Sequence, residues 1–276
     1  MALNSVNTNV GAMIALQNLS RTNSELGTVQ NRINTGMKVS SAKDNGAIWA
    51  IAQGQRAEIG ALNAVKDSLN RGQSAVDVSL AAGESVSDLL IQLKEKALAA
   101  TDTSLSTSAR SALNEDFTSI RDQIATVVSN ASFNGVNLLD GSATAGFKAL
   151  ANVAGSTITI NDEDMSLSGS IVTLAATESI STSTTATAAL AKVDASIDNV
   201  SASLARLGTG SKSLGTHLNF VGKLQDSLEA GVGNLVDADL AKESARLQAL
   251  QTKQQLGVQA LSIANSSTSI LLGLFR

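Results

Sequence analysis

Cysteine, proline and tyrosine are absent from the 276 residues of this chain. Without cysteine there is no disulfide framework, no thiolate nucleophile and no cysteine zinc site. Without proline no long helix need be kinked. A chain free of disulfides also meets no covalent obstacle to being threaded unfolded through a narrow conduit. Aromatic residues make up 2% of the chain against an apolar fraction of 43%. Thick globular cores draw on more large rings than that, whereas thin helix-on-helix layers do without them. Histidine occurs once. Nothing around His217 supplies a nucleophile or a second ligand, so it reads as a surface or interface residue.

Charge is also missing, from both ends. Met1–Ser20 and Gln254–Phe275 contain no Asp, Glu, Lys or Arg. Terminal segments are normally polar and frayed, but these carry apolar residues at helical spacing. Leu3, Val6, Val10 and Met13 form one row, and Leu19 follows in the second half of the same helix. Leu256, Ile263, Ile270 and Leu274 form another, flanked by Leu271 and Phe275. Such helices need a partner, and these eleven residues are the candidate assembly interface. A membrane span needs about 20 predominantly apolar residues. The first 20 residues hold four Asn, one Gln, one Thr and two Ser, and the last stretch holds Gln254, Gln255, Gln259 and Asn265. Membrane insertion is therefore not expected. Nor does a basic segment precede an unbroken apolar core, as a secretory signal requires. The expectation is a cytoplasmic protein, or one exported by a route that reads no cleaved signal. The net charge of −4 argues against nucleic acid as the main partner.

Helical periodicity dominates what is present. The spacing predicts a first helix over 5–33, ended by Asn34-Thr35-Gly36 with the glycine in the left-handed position. A Ser- and Gly-containing connector follows. A second helical stretch spans 44–100, with Leu62, Val65, Leu69, Val76, Val86, Leu90 and Leu93 on one face. A third runs over 107–129, striped by Leu113, Phe117, Ile120, Ile124 and Val127. Phe133-Asn134-Gly135-Val136 predicts a tight hairpin. Between 142 and 187 the period falls to two, and Ser, Thr, Ala and Gly dominate. This predicts a small β or irregular insert with a solvated surface, strands being expected at 156–160 and 171–174.

The most regular pattern follows. Leu190, Val193, Ile197, Val200, Leu204, Leu207, Leu214, Leu218, Val221 and Leu228 alternate by three and four, interrupted only by Ser211 and Gln225. A seam of this kind needs an extended partner helix, and the 44–100 stretch has the length. Gly231-Val232-Gly233 and Asp237-Ala238-Asp239 predict a joint. A last helix over 239–272 carries two apolar faces, Leu247-Leu250-Leu261-Leu271 and Leu256-Ile263-Ile270-Leu274, which calls for neighbours on both sides.

The fold class is thus mainly α: a long antiparallel helical bundle or coiled coil built from the N- and C-terminal segments, with a small β or irregular insert. The expected domains are 1–43 with 237–276, holding the terminal helices; 44–141 with 188–236, holding the long helices; and 142–187, the Ser/Thr-rich insert. Three short patterns invite sharper readings. Asp237, Asp239 and Glu243 are better explained as the acidic first turn of a helix than as a metal cluster. Asp162-Glu163-Asp164 lacks the spacing of a calcium loop and reads as a solvated turn. Gly208-Thr209-Gly210-Ser211-Lys212 lacks the spacing and the preceding strand of a phosphate loop. No catalytic, cofactor or metal residues are assigned, and no enzyme is expected.

Several local signatures resemble bacterial flagellin. They are Ala15-Leu16-Gln17-Asn18-Leu19, Ile33-Asn34-Thr35-Gly36, Val39-Ser40-Ser41-Ala42-Lys43-Asp44-Asn45 and Phe133-Asn134-Gly135-Val136-Asn137-Leu138-Leu139. At the other end stand Asp237-Ala238-Asp239-Leu240-Ala241-Lys242-Glu243, Gln254-Gln255, Leu261-Ser262-Ile263-Ala264-Asn265 and the final Leu271-Leu272-Gly273-Leu274-Phe275-Arg276. Each is weak alone, and their joint order is specific. The resemblance implies a subunit that polymerises with its own copies into the extracellular helical filament of a motility organelle. Its terminal helices would line an inner tube, its long helices an outer one, and its insert would be the exposed part. It further implies a chaperone on the last helix, export by the flagellar type III apparatus, and contacts with a filament cap and hook-filament junction proteins. The junction protein itself is the close alternative. A membrane-active translocator, the more distant one, is disfavoured by the Gln and Asn content of both ends.

Family members are commonly O-glycosylated. The resemblance makes candidates of the hydroxyls of Ser142, Thr144, Ser156, Thr159, Ser168, Ser170, Thr173 and Ser181 in the insert, and of Thr103 and Ser106 in the other loop. In many flagellins the segment matching Ile91–Leu98 is recognised by an animal immune receptor. There Arg commonly stands where Gln92 is and Leu where Lys96 is. The loss of a bidentate donor and an apolar anchor implies weak recognition here.

Overall fold

The computed structural model describes residues 8–273, with side chains described through residue 266. Five helices carry the fold: α1 (Val10–Thr35), α2 (Gly46–Ala100), α3 (Thr107–Asn130), α4 (Ser183–Val236) and α5 (Leu240–Gly273). Four short strands lie between α3 and α4: β1 (Ser132–Phe133), β2 (Val136–Asn137), β3 (Phe147–Leu150) and β4 (Thr157–Ile160). At about 1.5 Å per residue, the 55 residues of α2 and the 54 of α4 each extend about 80 Å. The chain divides into two compact units. One combines 1–57 with 227–276, and the other is 58–226.

The larger unit is a helical pair with a β-containing wrap. From Val193 to Val221 every seventh residue of α4 is fully buried: Val193, Val200, Leu207, Leu214 and Val221. The alternate ladder positions Leu190, Ile197, Leu204 and Leu218 are half-buried. From α2 the facing set is Leu62, Val65, Leu69, Val76, Val86, Leu90 and Leu93, all buried. The two ladder positions that are not apolar meet polar partners on α2. Gln73 donates to Ser211, and Gln225 joins Asn63 (2.9 Å) and Lys66 (3.3 Å). These pairs, with Lys94–Asp194 (2.8 Å), link rising positions on α2 to falling ones on α4. The helices are therefore antiparallel, and the polar pairs set their register. α3 returns beside the end of α2 through Lys96–Asp116 (2.6 Å) and buries Phe117, Ile124 and Val128.

The Asn-Gly hairpin forms as its sequence requires. β1 and β2 pair with Phe133 opposite Val136, and Asn134 and Gly135 take positive φ of 49° and 80°. Two such residues in succession make the turn whose twist suits adjoining strands. The second pair, β3 with β4, is antiparallel and sets Phe147 opposite Ile160. It rests on both helices. Leu150 N–H donates to Ser68 on α2 (3.0 Å), and Gly72 and Gly210 leave room for Phe147 and Ile160.

Four expectations need correction. First, 171–174 is not a strand. Its backbone donors go to Asp164 O (3.2 Å, from Ile171) and Ser196 Oγ (3.1 Å, from Thr173), and Ile171, Val172 and Leu174 are buried in irregular structure. Second, the insert is not merely a solvated appendage, for Met165, Val172, Leu174 and Ile180 are fully buried. Third, α4 runs through Gly231 and Gly233 to Val236. A helical glycine costs only about 1 kcal/mol, and Val232 and Val236 are buried beside them. Fourth, Thr8 and Asn9 are not helical and α1 starts at Val10, while residues 5–7 of the expected helix lie outside the described residues. The Asn9 carboxamide accepts from Ala12 N–H (2.9 Å) and caps the helix.

Candidate assembly surface

α1 and α5 form an antiparallel pair in the smaller unit. Asn9 donates to Ala264 O (2.7 Å), Leu19 lies against Gly257, Gln254 donates to Asn23 (2.8 Å) and Arg32 pairs with Glu243 (3.1 Å). The stripe that α1 turns to α5 is Ala12, Ala15, Leu19, Thr22, Leu26, Val29 and Ile33, each half-buried or buried. α5 answers with Leu247, Leu250, Gln254, Gly257 and Leu261. Both rows step by three and four, so one face of each helix is used and the rest is left over.

Gly36 ends α1 with φ 69°, in the left-handed region. Beyond it the two connectors zip together. Met37 bridges Asp237, Lys38 N–H donates to Val236 O (2.7 Å), and Ala238 N–H donates to Gly36 O (2.8 Å). Asp44 gathers the Ser40–Ser41 turn, accepting from both backbone N–H groups at 3.0 Å. Those hydrogen bonds, with that of the Ser40 hydroxyl the largest, hold its carboxyl below the ordinary value. Asp239 caps α5 by accepting from Lys242 N–H (3.1 Å), and Glu243 is spent on Arg32. These acids thus have structural employment. Among the described residues no group of His, Asp and Glu is arranged to hold a metal ion.

Much of what α1 and α5 leave over is apolar. Val10 and Met13 are 59% and 63% exposed, and Leu256 and Ile263 are 61% and 71% exposed. These four belong to the predicted interface. Leu19, a fifth, is instead half-buried against α5. Leu3, Val6, Leu274 and Phe275 lie outside the described residues. Ile270 and Leu271 fall within α5, but their side chains lie outside the described ones. Of the two apolar faces of α5, Leu247, Leu250 and Leu261 are covered, whereas Leu256 and Ile263 are exposed. Sequence reasoning missed Ile14, Leu16 and Val258, all more than half exposed. Tracing one row per helix passed over them, and the width of the apolar sector was the available signal. No helix among the described residues is long and apolar enough to cross a membrane.

The remaining marked residues are placed as follows. All ten candidate hydroxyl residues are exposed: Thr103, Ser106, Ser142, Thr144, Ser156, Thr159, Ser168, Ser170, Thr173 and Ser181. Ser106 also caps α3 through Ala109 N–H (3.2 Å). Gln92 is exposed, and Lys96 is tied to Asp116. The Gly208–Lys212 stretch is helical, with Gly210 packed under Ile160. Asp162-Glu163-Asp164 is not a solvated turn. Glu163 is buried and receives both Arg206 Nε (2.7 Å) and Nη2 (2.5 Å), and Ser203 Oγ adds a third bond at 2.8 Å. That grip raises the Arg206 guanidinium above its ordinary value. His217 is half-buried and hydrogen-bonded to Ala151 O (2.6 Å).

The family profile "Bacterial flagellin N-terminal helical region" matches residues 6–144, and "Bacterial flagellin C-terminal helical region" matches 190–275. Flagellin FljK of Caulobacter vibrioides is 61% identical over 276 residues, all of both chains. A flagellin of Brucella melitensis is 39% identical over 281 residues, covering 99% of each chain. Among solved structures, a putative flagellar hook-associated protein from Vibrio parahaemolyticus aligns with a TM-score of 0.55 at 15% identity. That alignment covers 70% of this chain and 100% of that one, and it bears on the fold alone.

Proposed function

The chain belongs to the bacterial flagellin family, the structural subunits of the flagellar filament, and we propose that it polymerises through the uncovered apolar faces of α1 and α5. The observation that carries this reading is the exposure of Val10, Met13, Leu256 and Ile263 on helices that already cover each other. Burying a side chain of this size contributes about 1.5–3 kcal/mol. A subunit with such a face on each helix gains from neighbours on two sides, which is what a helical filament supplies. Leu19 serves the same interface indirectly, by holding α1 to α5. Leu3, Val6, Ile270, Leu271, Leu274 and Phe275 extend the two rows towards the chain ends.

Before assembly such faces need protection. A flagellar export chaperone covering α5, passage through the type III export apparatus, and addition at a cap beyond the hook-filament junction proteins complete the proposal. The exposed hydroxyls of the insert and of the Thr103–Ser106 loop are proposed sites for O-glycans. An intact mass equal to that of the sequence would reject modification. The exposed Gln92 and the engaged Lys96 support weak recognition by the animal receptor, and signalling as strong as from a well-recognised flagellin would refute that part.

Seeded polymerisation of purified protein tests the central claim. The variant Met13→Ser/Ile263→Ser keeps both helices and the α1–α5 contact, and so should retain its helical content. Its filament yield in electron micrographs should collapse. Wild-type filament length and number from that variant would overturn the reading.

A further inference from the structure

The described residues hold three of the chain's four methionines, in three different environments. Met165 is fully buried, with its sulfur and terminal methyl beside Gly83 of α2. Met37 is half-buried, and its sulfur accepts a hydrogen bond from Arg56 Nη2 (3.9 Å). Met13 is 63% exposed, in the uncovered sector of α1 that also carries Val10, Ile14 and Leu16.

A thioether is oxidised through a sulfur lone pair, so access and a free lone pair set the order of reaction. Burial denies access to Met165, and the Arg56 guanidinium engages one lone pair of Met37. We propose that Met13 is an oxidation-sensitive modification site, and that its conversion to the sulfoxide by a hydroperoxide blocks assembly until it is reduced again. The inference rests on the reading that the chain polymerises through α1 and α5. In the reaction the sulfur attacks one peroxide oxygen. The O–O bond breaks, an S–O bond forms, and the second oxygen leaves as water or an alcohol. Sulfur gives up two electrons and the peroxide takes them. A thiol-dependent sulfoxide reductase reverses the step, releasing the oxygen as water while two thiols become a disulfide.

The position of Met13 decides what the change does. It lies outside the stripe that α1 turns to α5, so that contact survives, and in the free subunit water solvates the new S=O group. A neighbour packed on this sector would bury the sulfoxide oxygen instead. The exposed Val10, Ile14, Leu16, Leu256, Val258 and Ile263 offer it no side-chain donor, and an unpaired polar group taken out of water is costly. Oxidation therefore acts on assembly and not on folding. The converse also holds: once a neighbour covers the face, peroxide loses its access to the sulfur. Met13 is reactive in the free subunit and shielded in the filament.

Hydrogen peroxide is the probe, applied to the full chain as free subunit and as filament. Peptide mass mapping reads each methionine, seeded polymerisation reads assembly, and circular dichroism checks folding. In the free subunit Met13 should gain one oxygen before Met37 and about tenfold faster than Met165. In filaments its oxidation should slow by about as much. Oxidised subunits should keep their helical content and show a critical concentration raised about tenfold. Methionine sulfoxide reductases for both sulfoxide epimers, supplied with a dithiol, should restore it. Met13→Leu keeps the apolar surface and should assemble equally before and after peroxide. Met13→Gln, which imitates the polar sulfoxide, should assemble as poorly as the oxidised protein. Oxidised wild-type subunits that assemble normally overturn the proposal, as does a Met13→Leu protein that stays peroxide-sensitive, or oxidation of Met165 ahead of Met13. The Met13→Ser/Ile263→Ser protein run alongside distinguishes failure of the terminal-helix reading. That reading falls if this variant assembles like wild type, whereas the order of oxidation in the free subunit is read by mass without reference to assembly.

Discussion

Gln73 of α2 donates a hydrogen bond from Nε2 to the hydroxyl of Ser211 on α4, at one of the two places where the apolar ladder of α4 is interrupted. The Gln73 carbonyl oxygen is buried without a partner, while its amide nitrogen also reaches Asp77 (3.1 Å). The pair is thus half satisfied, and its role is to fix alignment rather than to maximise stability. Two equal apolar rows permit slippage by one heptad, and a polar pair at one level opposes it.

Replacing Ser211 alone by Leu should lower stability in spite of the added apolar surface. The serine hydroxyl is lost, and Gln73 is left with one fewer partner in a partly buried seam, a cost of about 1–3 kcal/mol. The double variant Gln73→Leu/Ser211→Leu removes both polar groups and should recover the loss. Thermal unfolding of the three proteins measures this. A single variant as stable as the double one would show that the hydrogen bond contributes nothing.

Glu163 and Arg206 make an unequal pair, since the Glu163 side chain is 8% exposed and the Arg206 side chain 57%. Removing Arg206 strands a buried carboxylate, whereas neutralising Glu163 leaves a guanidinium that water can reach. Arg206→Ala should therefore destabilise more than Glu163→Gln. The first loss should be about 2–3 kcal/mol, reduced from the 3–5 of a fully buried pair by solvent screening. Chemical denaturation ranks the two variants, and the reverse order would contradict this account.

Glycine substitutions separate packing from propensity. In a helix interior Gly→Ala normally gains about 0.5–1 kcal/mol. At Gly208 an added Cβ meets nothing within 4 Å, so Gly208→Ala should be stabilising. At Gly72 the same atom would stand 2.9 Å from the Phe147 ring and 3.4 Å from Ala149 Cβ. Gly72→Ala should lower the melting temperature, because β3 must move off α2. Equal effects of the two substitutions would remove the argument that Gly72 seats the strand.

The parts legible in the sequence are those whose physics is local or periodic. α2, α3 and α4 announce themselves because burial on one face repeats with the helical turn. Asn134-Gly135 and Gly36 do so because few other residues accept positive φ. The uncovered rows of α1 and α5 were legible for the same reason. Residues 161–182 were not. Met165, Val172 and Leu174 reach the core from irregular backbone, whose hydrogen bonds go to side chains and loop carbonyls far along the chain. The fate of Glu163 depends on Arg206, and no spacing rule links positions so far apart. The passage of α4 through Gly231 and Gly233 was hidden because buried Val232 and Val236 outweigh an intrinsic penalty.

Asp162 gives the unit a pH dependence of predictable sign. Its Oδ1 is buried without a hydrogen-bond partner. Desolvation first, then the charges of Asp164, Asp140 and Glu163, raise its carboxyl above the ordinary 3.8. As pH rises, the unfolded chain gives up this proton before the folded one does. The contribution to stability is therefore fully present below 3.8 and is lost as pH climbs through the raised folded value. Asp162→Asn keeps the shape and removes the charge. It should unfold at the same temperature as wild type in acid below the ordinary carboxylate range, and at a higher temperature near neutrality. Melting curves across that span decide the matter. An asparagine variant less stable than wild type at neutral pH would mean that the Asp162 carboxylate is held by a favourable interaction, not penalised by burial beside its acidic neighbours.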